Sequence, residues 1–161
     1  MLVASPTTLS LFLALSACKG PAVLGAPPSV SPQTQMLLHA VTAEQNLIWI
    51  YNKTIAAYSA YAPFLTPLRA EHEKHLAQLR ARVIEPPGKQ VPTTVTAKPP
   101  LAATGAAALA QLRAAEQRAV TTLMGRLSGA PPSLAQLYAS IAASEATHAT
   151  VLGTAVAEAG A

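Results

Sequence analysis

Apolar residues recur along this chain at alternating spacings of three and four, the periodicity of a helix that buries one face. In the first such stretch Leu37, Val41, Glu44, Ile48, Tyr51, Ile55 and Tyr58 follow that rule. A second runs through Leu65, Leu68, His72, His75 and Leu79, and a third through Leu109, Leu112, Glu116, Ala119 and Leu123. The fourth carries Leu134, Leu137, Ile141, Glu145, His148 and Leu152. Proline and glycine punctuate the intervals at Pro63 and Pro67, at Pro86-Pro87-Gly88 through Pro99-Pro100, and at Gly129 with Pro131-Pro132. The pattern predicts four helices, over 33–60, 64–84, 102–128 and 133–159. β-branched residues never alternate over a useful length, so the expected class is all-α.

The connections suggest how such helices pack. The first and third turns are short enough for antiparallel helical hairpins. The middle linker, Glu85 to Pro100, is longer. Its sixteen or so residues span about 50 Å when extended, whereas a helix of about 21 residues is roughly 32 Å long. That linker can run the length of a bundle, so the second and third helices are expected to lie parallel.

Every stripe is apolar except near its middle, where a Glu or a His takes a core position. At 1.5 Å rise per residue, the offsets from the turns place Glu44, His72, His75, Glu116, Glu145 and His148 within about a turn or two of one height. The halves also echo each other. Ala43-Glu44-Gln45 recurs as Ala115-Glu116-Gln117, and the intervals Glu44 to His72 and Glu116 to Glu145 differ by one residue. Three carboxylates in one dry layer cost several kcal/mol each unless something neutralises them. Without an ion, mutual repulsion should raise the pKa values of Glu44, Glu116 and Glu145. A bound metal pair removes the difficulty, because Glu and neutral imidazole are natural ligands and residues i and i+3 of a helix project together.

These residues resemble the ferritin-like di-iron carboxylate bundle: Glu on the first helix, a His-containing pair on the second, Glu on the third and Glu145-x-x-His148 on the fourth. More narrowly, the alanine-rich sequence with His72-x-x-His75 and a Pro-rich crossover resembles the ferritin-like domain of unknown function of secreted actinobacterial proteins. The resemblance covers roughly residues 33–159. It implies a ferritin-like four-helix bundle of two hairpins joined by a long crossover. In it Glu44 and Glu116 would be terminal or bridging ligands, Glu145 would bridge, and His75 and His148 would hold one ion each. The chain departs from that pattern at His72, where the second Glu-x-x-His motif has glutamate. Glu71, four residues before His75, is placed to reach the site from its flank, while Glu73 points roughly 100° away on the helical wheel. A set of three His and three Glu suits one metal, two with altered potential, or a different metal such as zinc or manganese in place of iron.

Composition narrows the function classes. The chain has 161 residues, 51% hydrophobic and 11% charged, which excludes an intrinsically disordered chain and bounds the answer at one domain with short appendages. Its net charge of +4 comes from dispersed Lys and Arg with no cluster, so no nucleic-acid footprint is expected. Residues 9–17 form a short apolar run ending in Leu15-Ser16-Ala17-Cys18, which resembles the bacterial lipobox, although Met1 to Ser10 carries no Lys or Arg. The expectation is a lipoprotein-type signal peptide over 1–18, lipid attachment at Cys18, the sole cysteine, and a Pro/Gly/Ser-rich tether over 19–32. Localisation would then be extracytoplasmic, with the membrane as partner. His39 is expected at the surface, Trp49 at a bundle edge, and Tyr51 packed near Glu44 with its hydroxyl hydrogen-bonded. The chain contains no phosphate loop, no serine nucleophile with a paired base and no zinc-finger spacing. The expected function is metal binding or redox chemistry in the envelope; the alternative is a non-catalytic helical interaction module with a degenerate metal site.

Overall fold

The structure, a computed structural model, describes residues 30–84 and 100–159. Cys18, the tether up to residue 29 and most of the Pro-rich linker lie outside these residues. The described chain forms four α-helices and no strand: α1 (Pro32–Ala57), α2 (Ala62–Arg80), α3 (Gly105–Gly125) and α4 (Pro132–Ala159). None of them is long and apolar enough to cross a membrane.

Local chemistry sets the ends. Ser31 caps α1 by accepting a hydrogen bond from the Thr34 amide at 3.1 Å, and Pro32 follows at the first helical position. Thr104 does the same for α3, accepting from the Ala107 amide. That cap starts α3 at Gly105 rather than at 102. Tyr58 leaves helical geometry, so α1 ends at Ala57 and a single 3-10 turn, Ser59–Tyr61, leads into α2. The Tyr58 hydroxyl then donates to the Ala102 carbonyl at 2.8 Å, tying the end of α1 to the approach of α3. Pro67 lies inside α2, where only Pro63 marks the first turn. Both prolines are exposed, and Pro67 has no amide to donate to the Pro63 carbonyl.

The helices pack as a four-helix bundle, α1 on α2, α3 on α4, and α1 across α3. Two apolar clusters fill it. One gathers Leu37, Val41, Leu79, Leu123, Leu134 and Ile141. The other gathers Leu47, Tyr51, Leu65, Leu109, Leu112 and Leu152. Leu79 and Leu123 thus share one end of the bundle and Leu65 and Leu109 the other, so α2 and α3 run in the same sense. The core stripe of α1 differs from the sequence pattern beyond Glu44. Leu47, Ile50 and Thr54 are buried, whereas Ile48, Ile55 and Tyr58 are only half-buried. A straight helix drifts about 20° per heptad from a strict seven-residue repeat, and α1 must face both α2 and α3. Its buried face therefore shifts round.

Candidate metal centre

The gap between the two apolar clusters is filled by polar side chains, one or two from each helix. α1 contributes Glu44, α2 His72 and His75, α3 Glu116, and α4 Glu145 and His148. All are buried except His75, which is half-buried. The six residues that the stripes single out do meet at one level.

His72 is the centre of the layer. Its Nδ1 lies 2.9 Å from Glu44 Oε2 and its Nε2 2.8 Å from Glu116 Oε1, and the ring is fully enclosed. Two flanking imidazoles stand edge-on to it, His75 at 5.7 Å between ring centres and His148 at 5.0 Å. His75 Nδ1 lies 3.5 Å from Glu44 Oε1, and His148 Nδ1 lies 3.5 Å from Glu116 Oε1 and 3.3 Å from His72 Nε2. Two groups of three ligand atoms result, Glu44–His72–His75 and His72–Glu116–His148, each within 4.8 Å of one another. They share His72. Glu145 belongs to neither, although it lies beside Glu44 in the same layer.

A second set of contacts orients the first. Glu71 reaches the site from the flank, but toward α4 and not toward His75: its Oε2 lies 3.0 Å from His148 Nε2 and accepts from the Ser144 hydroxyl at 2.9 Å. With Nε2 engaged there, His148 turns Nδ1 inward, the carboxylate–histidine arrangement that orients metal-binding imidazoles. Tyr51 donates its hydroxyl to Glu116 Oε1 at 2.6 Å. The role of Ser144 was not read from sequence; its one legible sign is its place one helical turn before His148. Glu73 is half exposed and pairs with Arg69, His39 is exposed, and Trp49 is half-buried with Lys53 Nζ 5.9 Å from its ring centre.

The electrostatics correct one expectation. Glu44, Glu116 and Glu145 do not all shift upward. Burial pushes every one of them up, but in Glu116 the hydrogen bonds with His148, His72 and Tyr51 win and hold the carboxyl down to about 2. Glu44 is likewise lowered, by hydrogen bonds with His72 and His75 that overcome its burial. Glu145 has no such donor. Burial and the neighbouring Glu44 and Glu116 charges push it up to about 9, so it carries its proton at neutral pH. His72 pays for its burial with the same two carboxylates and is held up to about 10. Near neutrality His72 is therefore an imidazolium between two carboxylates, and the Glu145 carboxyl is uncharged. An ion is not the sole way to balance the layer.

Two carboxyl oxygens remain without a hydrogen-bond partner in this layer: Glu116 Oε2 and Glu145 Oε2. Each is a metal-ligating atom type, and orphaned buried polar atoms are rare in native proteins. The donor set thus fits a transition-metal ion. Comparison with known proteins adds nothing to this geometry: no family model, no curated protein and no solved structure matches the chain.

Proposed function

We propose that the bundle is a transition-metal-binding domain of the ferritin-like carboxylate type, carried by an extracytoplasmic lipoprotein anchored through Cys18. The observation that carries the reading is the pair of three-atom groups sharing His72, enclosed between two apolar clusters. The parallel sense of α2 and α3 and the orphaned Glu116 and Glu145 oxygens support it. Glu44, His72 and His75 would hold one ion and Glu116 and His148 another, with Glu145 available to either. The bound ion, iron, manganese or zinc, would supply redox or Lewis-acid chemistry. The residues themselves supply enclosure, a Tyr51 hydroxyl aimed at Glu116, and a Glu71 carboxylate that fixes the His148 ring.

Binding must displace the His72 proton, because both imidazole nitrogens face carboxylates and a protonated ring has no lone pair to offer. The same observation favours the second reading. A Glu44–His72–Glu116 ion triplet closes the layer without metal, as a helical interaction module would require. Metal content separates the two. Protein purified without a histidine tag, after growth with iron, manganese and zinc, should contain about one ion or more per chain by elemental analysis. Less than about a tenth of an equivalent favours the metal-free module.

A further inference from the structure

A cleft of about 300 Å³ opens between α1 and α3 and reaches the polar layer. Leu47, Ile50, Ala115 and Leu123 give it apolar walls, and Glu44, Asn46 and Glu145 line it as well. Glu145 is 1% exposed and Glu44 2%, whereas Arg118, also in the lining, is exposed and Arg126 half-buried. The carboxyl groups therefore stand at the inner end and the exposed Arg118 at the mouth. Two lining side chains hold a buried oxygen without a hydrogen-bond partner, Glu145 Oε2 and Asn46 Oδ1. Neither group of candidate metal ligands uses Glu145.

An apolar cleft of this size, ending on a few convergent polar groups, has the form of a small-molecule site. Its chemistry selects the guest. The unpaired Glu145 and Asn46 oxygens call for a polar partner such as a hydroxyl, which both donates and accepts. Arg118 at the mouth and Arg126 in the lining disfavour a cation, and the Glu44 carboxylate inside disfavours an anion. We propose that this cleft binds a small uncharged alcohol or phenol, with its hydroxyl meeting Glu145 and its apolar body lying against Leu47, Ile50 and Ala115. No ion is needed for this contact, so the site and the metal reading stand or fall separately.

Ligand-detected NMR on the full chain, with chelator present, tests the assignment with three probes: phenol, toluene and the cationic benzylamine. Phenol should bind saturably, toluene roughly tenfold more weakly because it lacks the donor, and benzylamine more weakly still. Ala119→Leu narrows the cleft from a half-buried wall position without touching a candidate ligand. It should weaken phenol binding roughly tenfold or more while leaving the melting curve cooperative. If that variant does not fold, Ala43→Leu on the α1 wall serves in its place. Absence of saturable phenol binding by folded wild type, toluene binding as tightly as phenol, or unchanged phenol binding in the narrowed variant would each overturn the proposal.

Discussion

The two halves of the polar layer are built alike and balanced differently. In α1 and α2, Glu44 faces His72 and His75; in α3 and α4, Glu116 faces Glu145 and His148. The positions of His72 and Glu145 correspond in the sequence echo, yet His72 has a carboxylate on each ring nitrogen while Glu145 keeps an orphaned oxygen and an extra proton. One imidazole in the place of a carboxylate thus lets the first half neutralise the second. It draws Glu116 into an ion pair across the bundle and leaves Glu145 as the residue with no compensating charge.

The largest effect should come from making the halves alike. His72→Glu removes the buried cation and adds a fourth carboxyl group to the layer. Breaking a buried pair by removing one partner costs about 3–5 kcal/mol, so metal-stripped protein should lose most of its cooperative melting transition. Added metal should restore it. A variant that melts like wild type in chelator would show that His72 does not balance Glu44 and Glu116.

Next in size are two apolar replacements with opposite signs. Glu116→Leu leaves His72 Nε2 and the Tyr51 hydroxyl without their acceptor, and should destabilise the metal-free domain by about 2–4 kcal/mol. Glu145→Leu removes the one uncompensated carboxyl group and should stabilise it by about 1–3 kcal/mol, as replacement of buried polar groups by hydrocarbon often does. Chemical denaturation of both variants in chelator checks the pair. The same sign for both would contradict the asymmetry between the two halves.

The pH dependence follows from the same three groups. His72 is raised from 6.5 to about 10, so its contribution is complete below about pH 6.5 and is lost as pH rises through 10. Glu145 is raised from 4.5 to about 9, so its stability relative to the unfolded chain also falls as pH rises, beginning near 4.5. Glu116, lowered to about 2, acts in the other direction: its contribution is present above 4.5 and is lost as pH falls toward 2. From these groups, metal-free stability should peak near pH 4.5 and decline above it, more steeply beyond 6.5. If metal binds as proposed it would displace the His72 proton, so the metal-induced rise in Tm should be larger at pH 8.5 than at pH 6. Melting curves at the two pH values, with and without metal, measure the difference. The smallest effect expected is that of Tyr51→Phe, about 1–2 kcal/mol from the lost donor to buried Glu116.

Much of this arrangement is legible in the order of residues. Leucine and alanine stripes reveal four helices, and their shared interruptions bring six Glu and His side chains to one level. Helix ends are less legible where a single cap decides them, as Thr104 does for α3, and the α1 stripe misleads once the helix drifts toward a second neighbour at Leu47 and Ile50. Least legible is the balance of charge. Whether a buried His carries a proton depends on which carboxylates its two nitrogens meet, and those come from α1 and α3, far from His72 in the chain. Crowded carboxylates alone suggest an ion; the placement of His72 between two of them shows that a proton also serves.

Calorimetric titration of metal-stripped protein with Zn²⁺, in two buffers of different ionisation enthalpy, tests the central claim most directly. A metal site assembled from the two ligand groups that share His72 predicts saturable binding of about one ion or more per chain, with release of about one proton as His72 gives up its own. Heats that never saturate, or saturable binding with no proton release, would contradict it.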